Sequence, residues 1–150
     1  MLSGMQNELG DLLIRLTKRL HHFQKERLAP LGLTPSQSRA LRVIVGSGPL
    51  RMVDLAERLG VVPRSVTSLV DALEEAGLAT RSPDPANRRS LLVEATDRGR
   101  AARAEMAAVR REAAERVLAP LDAGQRATLL ELLTVMDAGD GPCARPPLAD

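Results

Sequence analysis

The fold turns on one stretch, Leu55-Ala56-Glu57-Arg58-Leu59-Gly60-Val61-Val62-Pro63-Arg64-Ser65-Val66-Thr67-Ser68-Leu69-Val70-Asp71-Ala72-Leu73. Val53, Leu55, Ala56 and Leu59 carry the apolar rhythm of a short helix from Met52 to Leu59, and Gly60 is placed for the left-handed residue that closes it. Pro63 suits the first position of the next helix, where its missing N–H costs nothing. Val66, Leu69, Val70 and Leu73 then mark a buried side, and Gly77 a stop. Two short helices joined by a glycine-containing turn read as a helix-turn-helix.

Outward from this pair the pattern changes on both sides. After Gly77, Leu78 to Arg81 and Ser90 to Glu94 read as two short strands, with Ser82 to Arg89, rich in Pro, Asp and Asn, as the loop between them. A hairpin directly after the second helix is a wing. Upstream, Leu9, Leu13, Leu16, Leu20 and Phe23 form one stripe on a helix from about Gln6 to Leu28, which Pro30 and Gly32 end. Thr34-Pro35-Ser36-Gln37 supplies both bonds of a capping box for a helix that stops between Gly46 and Pro49. Downstream, Thr96 caps a long helix to about Leu118, and Asp122-Ala123-Gly124-Gln125 opens a last one through Met136. From Gly139 onward the Gly- and Pro-rich tail is expected to be disordered.

Bulk properties narrow the function. The 150 residues suffice for one ordinary core, and 44% hydrophobic with 27% charged residues is a globular composition. Phe23 is the one aromatic residue, which excludes recognition by base stacking and leaves duplex DNA open. A net charge of +2 excludes indiscriminate anion binding, so the placement of charge must matter. The single cysteine, Cys143, can form neither an internal disulfide nor a metal site by itself, and a reducing cytoplasm is the expected compartment. Glu8 and Asp11 break any signal-peptide pattern, and no run approaches a membrane span, so no membrane association is expected.

The N-terminal turns of a second helix-turn-helix element reach base edges in the major groove. Here they present Pro63, Arg64, Ser65, Thr67 and Ser68, while Asp71, Glu74 and Glu75 lie toward the far end, away from phosphates. Arg64 can pair with a guanine or grip a phosphate, the hydroxyls of Ser65 and Thr67 can serve bases or backbone, and the Thr67 methyl can touch a thymine. Alone, these could be ordinary exposed polar residues. Arg88 and Arg89 at a wing tip add a second feature, guanidinium groups able to enter a narrow minor groove.

The stretch from Leu50 to Gly99 resembles the MarR family of bacterial transcription regulators. The resemblance is carried by Leu55-Ala56-Glu57-Arg58-Leu59-Gly60, Ser65-Val66-Thr67, Val70-Asp71, Leu73-Glu74 and Gly77-Leu78, then by Asp84-Pro85-Ala86-Asn87-Arg88-Arg89-Ser90 and Thr96-Asp97-Arg98-Gly99. The helix order extends it to Gln6 through Met136. It implies a mainly α fold, a winged helix-turn-helix with a two-stranded wing flanked by N- and C-terminal dimerisation helices. One regulator domain would span 1–138, with a DNA-binding lobe at 34–97, dimerisation helices at 6–30 and 98–138, and the tail at 139–150. It further implies a homodimer on a near-palindromic operator and repression relieved by a small-molecule effector or by oxidation. Asn87 stands where relatives often carry an acid that would orient Arg89, and Ser68 where a basic residue is frequent.

The apolar surface of Leu129, Leu130, Leu132, Leu133 and Met136 could be buried within one subunit or between two. Two-fold DNA half-sites need two wings, which favours the second. His21 and His22 are neighbours that diverge on a helix and cannot readily chelate one metal, so no metal site is expected. Cys143 falls in the expected loose tail, unlike the N-terminal helix cysteine of the family's peroxide sensors, so thiol sensing by that route is not expected. No phosphate loop or catalytic constellation is present, so neither an enzyme nor a cofactor is expected. With one ring per chain, an effector pocket would be mainly aliphatic and its ligand apolar. The alternative reading is a winged-helix protein-interaction module without DNA recognition, suggested by the modest charge, Asn87 and Ser68.

Overall fold

In a computed structural model, residues 2–139 are described, and they form six α-helices, one short 3-10 helix (Ala29–Leu31) and three strands. The helices are α1 (Leu2–Leu28), α2 (Pro35–Ser47), α3 (Met52–Leu59), α4 (Pro63–Glu75), α5 (Asp97–Leu118) and α6 (Ala123–Gly139). The strands are β1 (Leu50–Arg51), β2 (Ala79–Asp84) and β3 (Asn87–Ala95). The disordered tail, with Cys143, was expected where residues 140–150 lie outside the described residues. No helix among the described residues is long and apolar enough to cross a membrane.

Two compact units are present, one of residues up to Phe23 with those from Arg111 onward, the other Gln24–Arg110. The second holds the helix-turn-helix and the sheet. Its core joins Leu41 and Ile44 of α2, Leu55 and Leu59 of α3, Val66, Val70 and Leu73 of α4, Val93 of β3, and Ala102 and Met106 of α5. No polar or charged side chain is buried among the described residues, so hydrophobic burial alone drives this core.

Local chemistry sets the element ends. Thr34 Oγ1 accepts from the Gln37 N–H at 3.2 Å, while Gln37 Oε1 accepts from the Thr34 N–H at 3.0 Å, which completes the capping box of α2. Asp122 and Gln125 repeat the exchange at α6, at 2.9 and 3.0 Å. Gly60 closes α3 at φ 65°, where only glycine is unstrained. The first helix starts at Leu2 rather than near Gln6, Leu2 and Met5 being good helix formers that carry it across Gly4.

The sheet differs from the expected two-stranded wing in two ways. A third strand, β1, pairs antiparallel with β3 through Leu50↔Val93 and Arg51↔Leu92, giving the order β1-β3-β2. The strands also run further than the sequence suggests, so the loop shrinks from Ser82–Arg89 to Pro85 and Ala86. Pro83 is tolerated because β2 is an edge strand, and the pairing slips between Pro83 and Asp84.

Where the sheet hands over to α5, three backbone segments meet. Thr96 Oγ1 donates to the Gly77 carbonyl at 2.6 Å and accepts from the Gly99 N–H at 3.0 Å, and the Thr96 N–H donates to the Leu78 carbonyl at 3.1 Å. A Cβ at Gly99 would stand 1.9 Å from the Leu78 carbonyl oxygen, a backbone atom that cannot swing aside. Gly99→Ala is therefore expected to cost at least about 3 kcal/mol in urea unfolding. Gly77→Ala, which meets only the Arg98 side chain at 3.6 Å but must hold φ 73°, should cost about 1 kcal/mol. Equal losses would show that the Leu78 contact is not the constraint.

Candidate nucleic-acid interface

The helix-turn-helix is α3 and α4, joined by Gly60, Val61 and Val62. The buried side of α4 is Val66, Val70 and Leu73, which leaves its opposite side to solvent. Pro63 is the first residue of the helix, and Pro63, Arg64, Ser65, Thr67 and Ser68 are all exposed. No side chain caps this helix, Pro63 has no N–H and the Ser65 N–H donates to the Val62 carbonyl at 3.0 Å, so in the first turn the Arg64 N–H is the one left to an anion. Thr67 departs from expectation: its hydroxyl donates to the Pro63 carbonyl at 3.3 Å, so it can offer an approaching base or phosphate only an acceptor and its methyl. Val61 and Val62 flank the same surface, at 36% and 64% exposure, and were not singled out from sequence.

The acids of α4 are not merely set apart from its N-terminal end. Arg81, on β2, donates from Nη2 to Asp71 Oδ1 at 2.5 Å and to Glu74 Oε2 at 2.6 Å, and from Nε to Glu74 Oε2 at 3.0 Å. Its backbone N–H also donates to Glu74 Oε1 at 2.8 Å. These bonds, first those to Glu74, push the Arg81 guanidinium further above its already high range. Arg81 thereby offsets one of the two negative charges of Asp71 and Glu74 and fastens α4 to the wing. Sequence reasoning missed it. The available signal was an acid pair at i and i+3 facing a basic residue in the following strand.

At the wing tip, Asp84 Oδ1 accepts from the Ala86 N–H at 2.9 Å, and Asn87 Oδ1 accepts from the Arg89 N–H at 3.2 Å. Asn87 therefore fixes the backbone of Arg89 rather than its guanidinium. Arg88 and Arg89 are exposed, and no hydrogen bond or ion pair among the described residues holds either side chain. They lie at the start of β3, within the strand rather than in a loop. Another unforeseen pair sits before α3, where Arg51 meets Asp54 through two bonds of 2.9 and 3.0 Å. The Arg51 bond holds the Asp54 carboxyl below the usual carboxylate range, and Arg51 itself is raised by the same bond and by the nearby charge of Asp84.

No group of three or more His, Cys, Asp or Glu able to hold a metal occurs among the described residues. His21 and His22 are exposed on α1. What remains is a surface for a polyanion: Arg64 and hydroxyls at one helix end, the pair Arg88 and Arg89 on a hairpin, and Asp71 and Glu74 engaged by Arg81.

Comparison with known proteins gives a consistent picture. The sequence model of the MarR family matches residues 31–90. An HTH-type transcriptional repressor of Mycobacterium bovis is 36% identical over 125 residues, covering 83% of this chain and 90% of the relative. Among solved structures, the YusO protein of Bacillus subtilis superposes with a TM-score of 0.86 over 93% of this chain and 99% of its own, at 24% identity, which speaks to the fold. Wild-type MarR of E. coli, in its apo form, does so at 0.69 over 85% of this chain and 95% of its own, with 27% identity. Replacing Arg81 with Met should strand Asp71 and Glu74, lowering stability in urea by about 1–3 kcal/mol, with Arg81→Lys recovering part of it. A neutral effect of both would remove the proposed tie between helix and wing.

Proposed function

The chain belongs to the MarR family of winged helix-turn-helix regulators, and on that premise we propose that it is a homodimeric repressor that releases a near-palindromic operator when a small ligand binds. DNA binding as such follows from the family and its relatives. The observation that carries the finer reading is the pairing of an uncapped helix end bearing Arg64 with a wing bearing the unpaired Arg88 and Arg89. In this reading Pro63, Arg64, Ser65, Thr67 and Ser68 enter the major groove, Arg88 and Arg89 reach the adjacent minor groove, and Asn87 shapes the wing tip.

The dimer draws support from surface left over. On α6, Leu130, Leu132, Leu133, Val135 and Met136 are exposed by 43–71%, and on α1 so are Met5, Leu9, Leu12, Leu13 and Ile14 by 40–55%. Apolar runs of this extent on a single chain mark an association surface. Residues 6–30 and 98–138 would then supply the dimer contacts and 34–97 the DNA-binding lobe. Two copies place two recognition helices about one DNA turn apart, and a ligand that favours another spacing lowers affinity.

Mobility shift at a stated salt concentration on the DNA upstream of the chain's own gene tests the assignment. Arg64→Ala and Arg89→Ala should each weaken operator binding by about 1–3 kcal/mol. Unchanged affinity in both would defeat it. Light scattering should return twice the chain mass, and Leu133→Glu should shift it toward the monomer.

A further inference from the structure

The helix α4 has few tools for reading a base. Pro63–Glu75 contains no Asn, Gln, His or Lys, so the side-chain amides that pair with adenine N6 and N7 are missing from it. Arg64 serves guanine or phosphate, and the hydroxyls of Ser65 and Ser68 serve any base or the backbone. Asp71 and Glu74 are bonded to Arg81. On the wing, Arg88 and Arg89 would meet a minor groove in which A·T and T·A look alike. Within this set of polar groups nothing tells one orientation of an A·T pair from the other. An apolar contact with the thymine methyl would.

Three apolar groups stand where such a contact is made. Val62, the residue before Pro63, is 64% exposed, more than Val53, Val61 or Leu91, the other large hydrophobic side chains exposed among residues 24–110. It also occupies the N-cap of α4, where its side chain makes no cap bond, although α2 and α6 of the same chain are capped by Thr34 and Asp122. A valine there gives folding neither burial nor a cap. Pro63 and Thr67 lie one turn apart on the exposed side of the same helix. The Thr67 hydroxyl hydrogen is spent on the Pro63 carbonyl at 3.3 Å, which leaves the methyl as its distinctive group.

We propose that Val62, Pro63 and the Thr67 methyl form an apolar strip that reads the 5-methyl group of thymine in the major groove, beside the guanine or phosphate taken by Arg64. This rests on the reading that the first turns of α4 enter that groove. Burying one methyl against the strip removes apolar surface of both partners from water, a gain of about three- to fivefold in affinity per thymine. Cytosine or adenine at the same place brings an amino group that the strip cannot pair, so the wrong base loses as well as the right one gaining. Helix and wing then divide the work. The strip settles which strand carries thymine, a distinction the minor groove does not offer to Arg88 and Arg89.

The test uses the full chain and a preferred duplex selected by it from a random pool. Each thymine of that duplex is replaced singly by uracil, which deletes the 5-methyl group and leaves the pairing and the minor-groove edge unchanged. At one or more thymines of each half-site, uracil should weaken binding by about three- to fivefold. Thr67→Ser keeps the hydroxyl and drops the methyl, and Val62→Ser exchanges the apolar side chain for a capping hydroxyl. In each variant the uracil penalty should disappear at the thymine which that residue touches, a coupling that a double-mutant cycle isolates. Arg89→Ala should weaken binding and keep the penalty. Val62→Ser should also match or exceed the wild-type thermal midpoint, since it supplies the missing cap. A lower midpoint would make Val62 a packing residue and overturn the proposal. Uracil tolerated throughout a tight, sequence-specific complex overturns it too and leaves the regulator reading standing, as does a penalty that persists in both serine variants. A selection that enriches no sequence sinks the regulator reading, and the thymine reading with it.

Discussion

A glycine laid on a carbonyl fixes the geometry of the helix-turn-helix and its wing. The first turn of α5 lies so close to Leu78 that no side chain fits at position 99, and Thr96 ties the same point to Gly77 by a 2.6 Å bond. Through these contacts the end of α4, the start of β2, the end of β3 and the start of α5 share one junction. The recognition helix thereby leaves the junction in a set direction, and the hairpin leaves it in another. Neither hydrophobic burial nor helix propensity could supply that, because both are indifferent to small rotations of an element about its axis.

Charge then gives each end of α4 its role. Its first turns hold Arg64 and three hydroxyl residues in solvent, whereas Asp71 and Glu74 further along bond to Arg81. A polyanion approaching the first turns of the helix meets Arg64 before any carboxylate, since Asp71, Glu74 and Glu75 lie further along. The same ion pairs join helix to wing, so one arginine serves both electrostatics and alignment. At the wing, Asn87 accepts from the Arg89 backbone N–H at 3.2 Å and leaves the guanidinium free.

The helices were legible because their signals are local. Thr34 with Gln37, Asp122 with Gln125, Gly60 and Pro63 each announce an end within four residues, and the structure uses each as read. The family pattern around Leu55 to Gly77 and the wing motif were equally local. The strand β1 was not legible, since two residues between Pro49 and α3 carry no periodicity and exist as a strand only through pairing with Val93 and Leu92. The wing was underestimated because Pro83, Asp84 and Asn87 have turn chemistry, which an edge strand with a pairing slip can absorb. Arg81 was passed over because its partners lie seven and ten residues away, across a helix end and a turn. The lone hydroxyl of Thr67 looked free for DNA, and only coordinates show it given to Pro63.

Pro83 has a use beyond being tolerated. In the order β1-β3-β2 the sheet has two open sides, and one of them, β1, is only two residues long. The other, β2, is six residues long and would be a template for strand addition by any extended chain in a crowded cell. A proline there removes a donor, and the slip beside it spoils the regular spacing that a newcomer would have to match. The wing can thus project far enough to carry two arginines on its tip while remaining a poor seed for aggregation.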